Sequence, residues 1–292
     1  MSSHDLRNLL LLAAIWGSSF LFTRLAAFDF GAFPLILVRV GAAGLMLLIV
    51  MALQGRLHAL WPYWRPIAMV GFLNAAVPFT CYAFAATRIE IGLLSVLNAM
   101  TPLFAALIAR LWLKEQLSGL RVLGLVIGFL GIITLVYDKL HFDQGATGWA
   151  ILASLVATLF YGIAASFSTK YLKGAEPIAV AAGSLSSAGI MLAPFAWWLW
   201  PDTSISAGAW GSALTLSLLC TGLAYLIFYR LLANVGGAKT VTVTFLVPPF
   251  GVLWGVLLLG EKLSFQVVGG TAVVLLGTLL ATGFIGGRGA RA

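Results

Sequence analysis

Asn74, Pro78 and Tyr82 follow one another at intervals of four, and Ser217, Thr221 and Tyr225 keep the same spacing in the second half of the chain. Residues four apart share one face of a helix, so each triplet draws a polar stripe on an apolar segment. Asn98 and Pro102 form a further pair one turn apart, matched by Thr244 and Pro248. A proline inside a membrane helix frees the carbonyl one turn back, and that group must be met by a neighbouring helix, by water or by a solute. Two roles fit these faces: the wall of a polar cavity, or hydrogen-bonded bridging between helices. Trp16, Ser19, Phe20 and Thr23 make a stripe near the N-terminus, and Ser154, Thr158 and Tyr161 make another at mid-chain. Rings with hydroxyls suit a small amphipathic organic solute, through packing, cation-π contact and orienting hydrogen bonds. Aromatic residues at this spacing also serve plain packing or lipid contact.

The charged residues narrow the chemistry by their placement. The acidic residues, including Asp5, Asp29, Glu90, Glu115 and Glu261, stand at or beyond the ends of apolar runs, as do His4, His58 and His141. A proton-driven carrier needs a titrating group in its pathway, so the pattern favours facilitated diffusion or coupling through something other than a buried acid. Serine or metal chemistry would need His, Asp or Glu beside a nucleophile or ligand, which argues against an intramembrane enzyme and against a metal or other cofactor. GGAKT at 236–240 lacks the spacing of a phosphate-binding loop. Cys81 and Cys220 lie within apolar runs, as buried packing residues rather than a disulfide framework. Arg39 stands apart in the outer part of an apolar run, either anchoring a substrate carboxylate or serving a structural role, by snorkelling or by pairing with a residue such as Asp29.

The elements that must hold these residues are membrane spans. Hydrophobic residues make up 61% of the 292-residue chain and charged ones 9%, against roughly a quarter charged in soluble domains. Apolar runs of spanning length predict ten helices at about 7–26, 33–53, 66–87, 91–113, 119–137, 147–170, 177–199, 208–232, 238–260 and 264–285. The first could be a cleavable signal peptide, but its counterpart in the second half argues that it stays as span 1. The net charge of +8 comes from cations scattered singly at span ends, which read as topology signals rather than as a nucleic-acid surface. Twelve Lys and Arg fall on the side of the termini, against Arg24, Arg88, Lys139 and Lys262 on the other. Both termini are therefore expected in the cytoplasm.

From Pro102 the chain reads PLFAALIARLWLKEQLSG, and 146 residues later, from Pro248, it reads PPFGVLWGVLLLGEKLSF. Phe104, Leu107, Glu115, Leu117, Ser118, Gly124 and Gly131 recur without a gap as Phe250, Leu253, Glu261, Leu263, Ser264, Gly270 and Gly277. Weaker echoes relate Trp16, Gly17 and Arg24 to Tyr161, Gly162 and Lys170, while spans 3 and 8 match least. Five spans per half is odd, so the halves, 1–143 and 144–292, cross the membrane in opposite senses. Such inverted repeats hold substrate near the midplane where they meet. Glu115 and Glu261 end spans 4 and 9 at opposite faces and read as hairpin architecture first, gate elements second.

The WGSSF of span 1, Pro34 followed by Arg39 in span 2, and the doubled Pro102/Glu115/Gly124 and Pro248/Glu261/Gly270 signature resemble the drug/metabolite transporter superfamily in its EamA-type branch. The resemblance covers nearly the whole chain. It implies an all-α, ten-helix bundle of two inverted five-helix repeats around a central cavity. Spans 1, 3, 4, 6, 8 and 9 would wall that cavity and 5 and 10 would lie outside. It also implies export of amino acids or related metabolites, with a small-molecule substrate and the lipid bilayer as partners, in a bacterial inner membrane. Another metabolite or drug of the same superfamily, or a channel, is the alternative. Since one chain holds both halves, a monomer is expected. Alternating access, the halves rocking while spans 3, 4, 8 and 9 open one side at a time, is the expected mechanism.

Overall fold

The computed structural model describes residues 2–137, 147–262 and 264–283, and among them it is helical without strands. Lys139, Leu263, Asp143 and His141, which figure in the sequence reading, lie outside the described residues. The ten spans are helices α1 (Ser3–Phe30), α2 (Ala32–Leu53), α3 (Leu57–Ala86), α4 (Ile91–Trp112), α5 (Gly119–Val136), α6 (Thr147–Tyr171), α7 (Pro177–Trp198), α8 (Ala207–Val235), α9 (Val243–Leu259) and α10 (Phe265–Ala281). Eight are long and apolar enough to cross a membrane; α9 and α10 are shorter apolar helices, α9 being preceded by the turn Gly237–Thr240. The protein is a ten-helix polytopic membrane protein.

Four helices are locally irregular, and their residue chemistry accounts for it. Pro78 has no N–H to return to the preceding turn, and α3 widens into a π turn at Phe72–Ala76 just before it. In α8 a π turn spans Thr215–Leu223, where Thr221 Oγ1 donates to Leu216 O at 2.9 Å and Ser217 Oγ to Ala213 O at 2.7 Å, hydroxyls competing for the backbone carbonyls. The two π turns overlap at the repeat offset of 146 residues. The pair of spans least alike in sequence thus shares a backbone device. α4 breaks at Ala99–Met100 ahead of Pro102, bridged by tight bonds such as Met100 N–H to Leu97 O at 3.0 Å. In α9 the equivalent break falls earlier, at Val241–Thr242, and Pro248 and Pro249 lie inside the helix.

Packing interleaves the two halves. α1 lies against α8 and α9, α6 against α3 and α4, α2 against α7, and α5 against α10. Span 1 thus packs chiefly against spans of the second half and span 6 against spans of the first, so the two repeats cross over one another. Small residues permit these approaches, because membrane helices associate through close packing rather than water exclusion. A Cβ on Gly17 would stand 2.6 Å from Phe250 Cβ, and one on Gly162 2.8 Å from Ala105 N. These two contacts, α1 on α9 and α6 on α4, are one contact made twice.

Candidate functional site between the halves

The polar and aromatic residues singled out by spacing gather into two groups. In the first, Tyr82 of α3 donates its hydroxyl to Asn98 Oδ1 at the α4 break, at 3.0 Å. Its ring meets Phe20 of α1 edge-on at 5.8 Å and lies 6.1 Å from Tyr161 of α6. In the second, Trp16 of α1 tilts against Phe228 at 5.5 Å, and Tyr225 stacks on Tyr229 at 5.9 Å. Asn74 sits half-buried in the α3 π turn. Centroid separations in this range are those of favourable ring pairs.

Other predicted members are placed differently. Ser19 Oγ donates to Trp16 O at 2.6 Å, Thr158 Oγ1 to Leu155 O at 2.8 Å and Thr244 Oγ1 to Val241 O at 2.8 Å. Each hydroxyl is returned to its own helical turn, the local solution for a hydroxyl in apolar surroundings. Thr158 is wholly buried. Pro78 is buried and Pro102 half-buried. The Pro248 carbonyl accepts a long bond from Ser95 Oγ of α4 at 3.4 Å. Ser217 and Thr221 turn towards α2, where Ser217 donates to Val38 O at 3.2 Å and Thr221 Oγ1 accepts from Arg39 Nε at 3.1 Å.

Arg39 is 8% exposed, with its guanidinium carbon 3.7 Å above the Phe79 ring centroid. It neither snorkels nor pairs with Asp29, whose carboxylate accepts the Ser206 N–H at 3.0 Å. Asp29 instead ties the end of α1 to the loop that opens α8. Phe228, Tyr229 and Ser95 escaped the sequence reading. Tyr229 lies one turn beyond Tyr225, so extending that stripe by four residues would have reached it.

The two faces of the bundle are built unequally. At the face opposite the termini, the Glu261 carboxylate accepts the Ile91 N–H at 2.7 Å and the Gly92 N–H at 3.0 Å, capping α4 from the end of α9. There too Arg24 Nη1 donates to Ala86 O at 3.2 Å and Ile89 O at 2.7 Å, capping the end of α3 from α1. The repeat partners are Glu115 and Lys170 at the face of the termini. Glu115 is exposed and, among the described residues, its carboxylate meets no donor. Lys170 lies 5.7 Å from the Trp112 ring centroid and 5.2 Å from that of Tyr171. α4 follows suit: Ile91–Leu97 are buried, whereas Phe104–Ala109 are half-buried.

Known proteins share this architecture and sequence. A solved crystal structure superposes with a TM-score of 0.67 at 17% identity, covering 97% of this chain and 98% of that one. An uncharacterized transporter of Archaeoglobus fulgidus is 23% identical, over 92% of this chain and 95% of its own. A probable terminal-alkyne amino-acid exporter of Streptantibioticus cattleyicolor is 24% identical over 93% and 91%. The model of the EamA-like transporter family matches twice, at residues 8–137 and 148–283. With both stretches matched, the chain belongs to the EamA-like transporter family.

Proposed function

We propose that this protein exports amino acids and related small metabolites across a bacterial inner membrane by alternating access, with both termini in the cytoplasm. The name of the Streptantibioticus cattleyicolor relative supports the solute class. The rings of Trp16, Phe20, Tyr82, Tyr161 and Tyr225, beside Asn74 and Asn98, supply surfaces for an amphipathic solute. The observation that carries the mechanism is the pair of unmatched caps. An inverted repeat makes the two faces equivalent in sequence, yet Glu261 and Arg24 hold their targets while Glu115 and Lys170 do not. The bundle is then closed at the face opposite the termini and open at the other. In the exchanged state Glu115 would take the Gly237 and Ala238 N–H groups, and Lys170 the carbonyls ending α8, as α3, α4 and α6 move against α1, α8 and α9.

The acidic residues at span ends make the transport facilitative in this reading, and a chain holding both halves works as a monomer with no nucleic-acid partner. The test is uptake of labelled amino acids by proteoliposomes of the purified protein, with and without a pH gradient. Saturable uptake indifferent to the gradient is expected. Stimulation by the gradient would overturn the facilitative mechanism, and no uptake of any amino acid would overturn the solute class.

A further inference from the structure

We propose that Arg39 is the anchor for the carboxylate of the transported solute. This rests on the reading of the protein as a carrier of small organic solutes and names the group by which it holds them. A guanidinium nine-tenths buried in a membrane protein calls for an anionic partner or a set of acceptors. The acceptor it meets among the described residues is Thr221 Oγ1, at 3.1 Å from Nε. The Phe79 ring covers one face of the guanidinium, and the titratable groups near it are Tyr161, Cys220 and Tyr225, with no carboxylate among them. Among the described residues, the buried polar side-chain atoms sealed from solvent without a partner are Thr101 Oγ1 and Glu176 Oε2. The Arg39 terminal nitrogens make no hydrogen bond among the described residues, although the residue is only 8% exposed.

The surroundings fix its geometry. Ser217 on Val38 O and Thr221 on Arg39 Nε, four residues apart on α8, tie α2 to α8 at this point. Phe79 then leaves the edge of the fork carrying both Nη groups free, the edge that takes a carboxylate in two parallel bonds. Tyr161 and Tyr225 belong to the first and second aromatic groups respectively, so an anion on this fork places the rest of its molecule between them. A phosphate monoester, with more charge, would ask for further cations that the neighbourhood lacks.

The test is binding to the purified wild-type protein of matched probes, L-phenylalanine and L-phenylalaninamide, with 3-phenylpropionate and phenethylamine as a pair lacking the other group. The acids are expected to bind about tenfold or more tighter than their uncharged or cationic counterparts. Arg39→Gln is expected to erase that ratio and Arg39→Lys to keep part of it. The ratio within one variant, rather than absolute affinity, separates anchoring from a structural role. Should Arg39→Gln fail to fold, the wild-type ratio and Arg39→Lys still decide. Equal binding of acid and amide to the wild type would overturn the anchor while leaving an amino-acid carrier standing, as would an undiminished ratio in Arg39→Gln. Binding of none of the four would overturn both.

Discussion

Glu261 and Ile91 lie 170 residues apart in sequence and 2.7 Å apart as acceptor and donor, with the same carboxylate also taking the Gly92 N–H. The first turn of a helix leaves its N–H groups without backbone partners, and a carboxylate there satisfies them with charge assistance. The cap therefore serves as a latch between α9 and α4. Its repeat partner Glu115 keeps the same local turn, since Glu115 N–H bonds Ala109 O at 3.3 Å as Glu261 N–H bonds Gly255 O at 3.1 Å. The hairpins match and the latches do not.

Glu261→Gln should lower the stability of the purified protein by about 1–3 kcal/mol, from losing a charged acceptor over two N–H groups. Glu115→Gln should leave stability in this state nearly unchanged and slow turnover. A thermal melt in detergent beside initial rates of uptake checks both. An altered substrate ranking in Glu115→Gln would contradict its role as a gate element.

The Tyr82 hydroxyl and Asn98 amide form a bond between α3 and the broken part of α4. Tyr82→Phe and Asn98→Ala should each lower transport while leaving folded protein in the membrane. A double-mutant cycle on affinity or stability should show coupling of about 0.5–1.5 kcal/mol. Additive effects would mean that the two residues act separately.

Span number, order and most span ends were legible because a bilayer imposes a length and an apolar composition on every crossing. The latches were half legible. The recurrence of Glu115 as Glu261 and of Arg24 as Lys170 marked the residues, but a repeat carries no record of which copy is engaged. The four-residue stripes marked Tyr82 and the proline-linked pair marked Asn98, and these two meet across helices. For Ser19, Thr158 and Thr244 spacing gives the face a hydroxyl occupies but not that it turns back to its own carbonyl, as all three do. Straight-helix spacing also missed the π turns, the second of which holds Ser217 and Thr221 against Val38 and Arg39 of α2.

Gly17 and Gly162 test the paired packing directly. Valine at either should push α1 from α9, or α6 from α4, and destabilise the fold by about 1–3 kcal/mol. Gly211→Ala, where an added Cβ meets nothing within 4 Å, is the control and should be neutral or slightly stabilising. The measurement is the melting temperature of each variant. Similar losses at Gly17 and Gly162, with none at Gly211, would support the duplicated contact; tolerance of valine at both would exclude it.

Ser95 and Val241 occupy equivalent positions of the repeat, yet Ser95 is 0% exposed beneath the latched face and Val241 is 43% exposed at the other. In a background with Cys81 and Cys220 replaced, Val241→Cys should react with an impermeant maleimide from the face of the termini, and Ser95→Cys should react slowly from either. Adding Glu261→Gln removes the latch and, if the two faces exchange, should speed labelling of Ser95→Cys from the opposite face while slowing that of Val241→Cys. A reciprocal change ties the two faces to one equilibrium, as population shift between two states requires. Fast labelling of both positions at once would instead mean a continuous pore, and the alternating mechanism would fall.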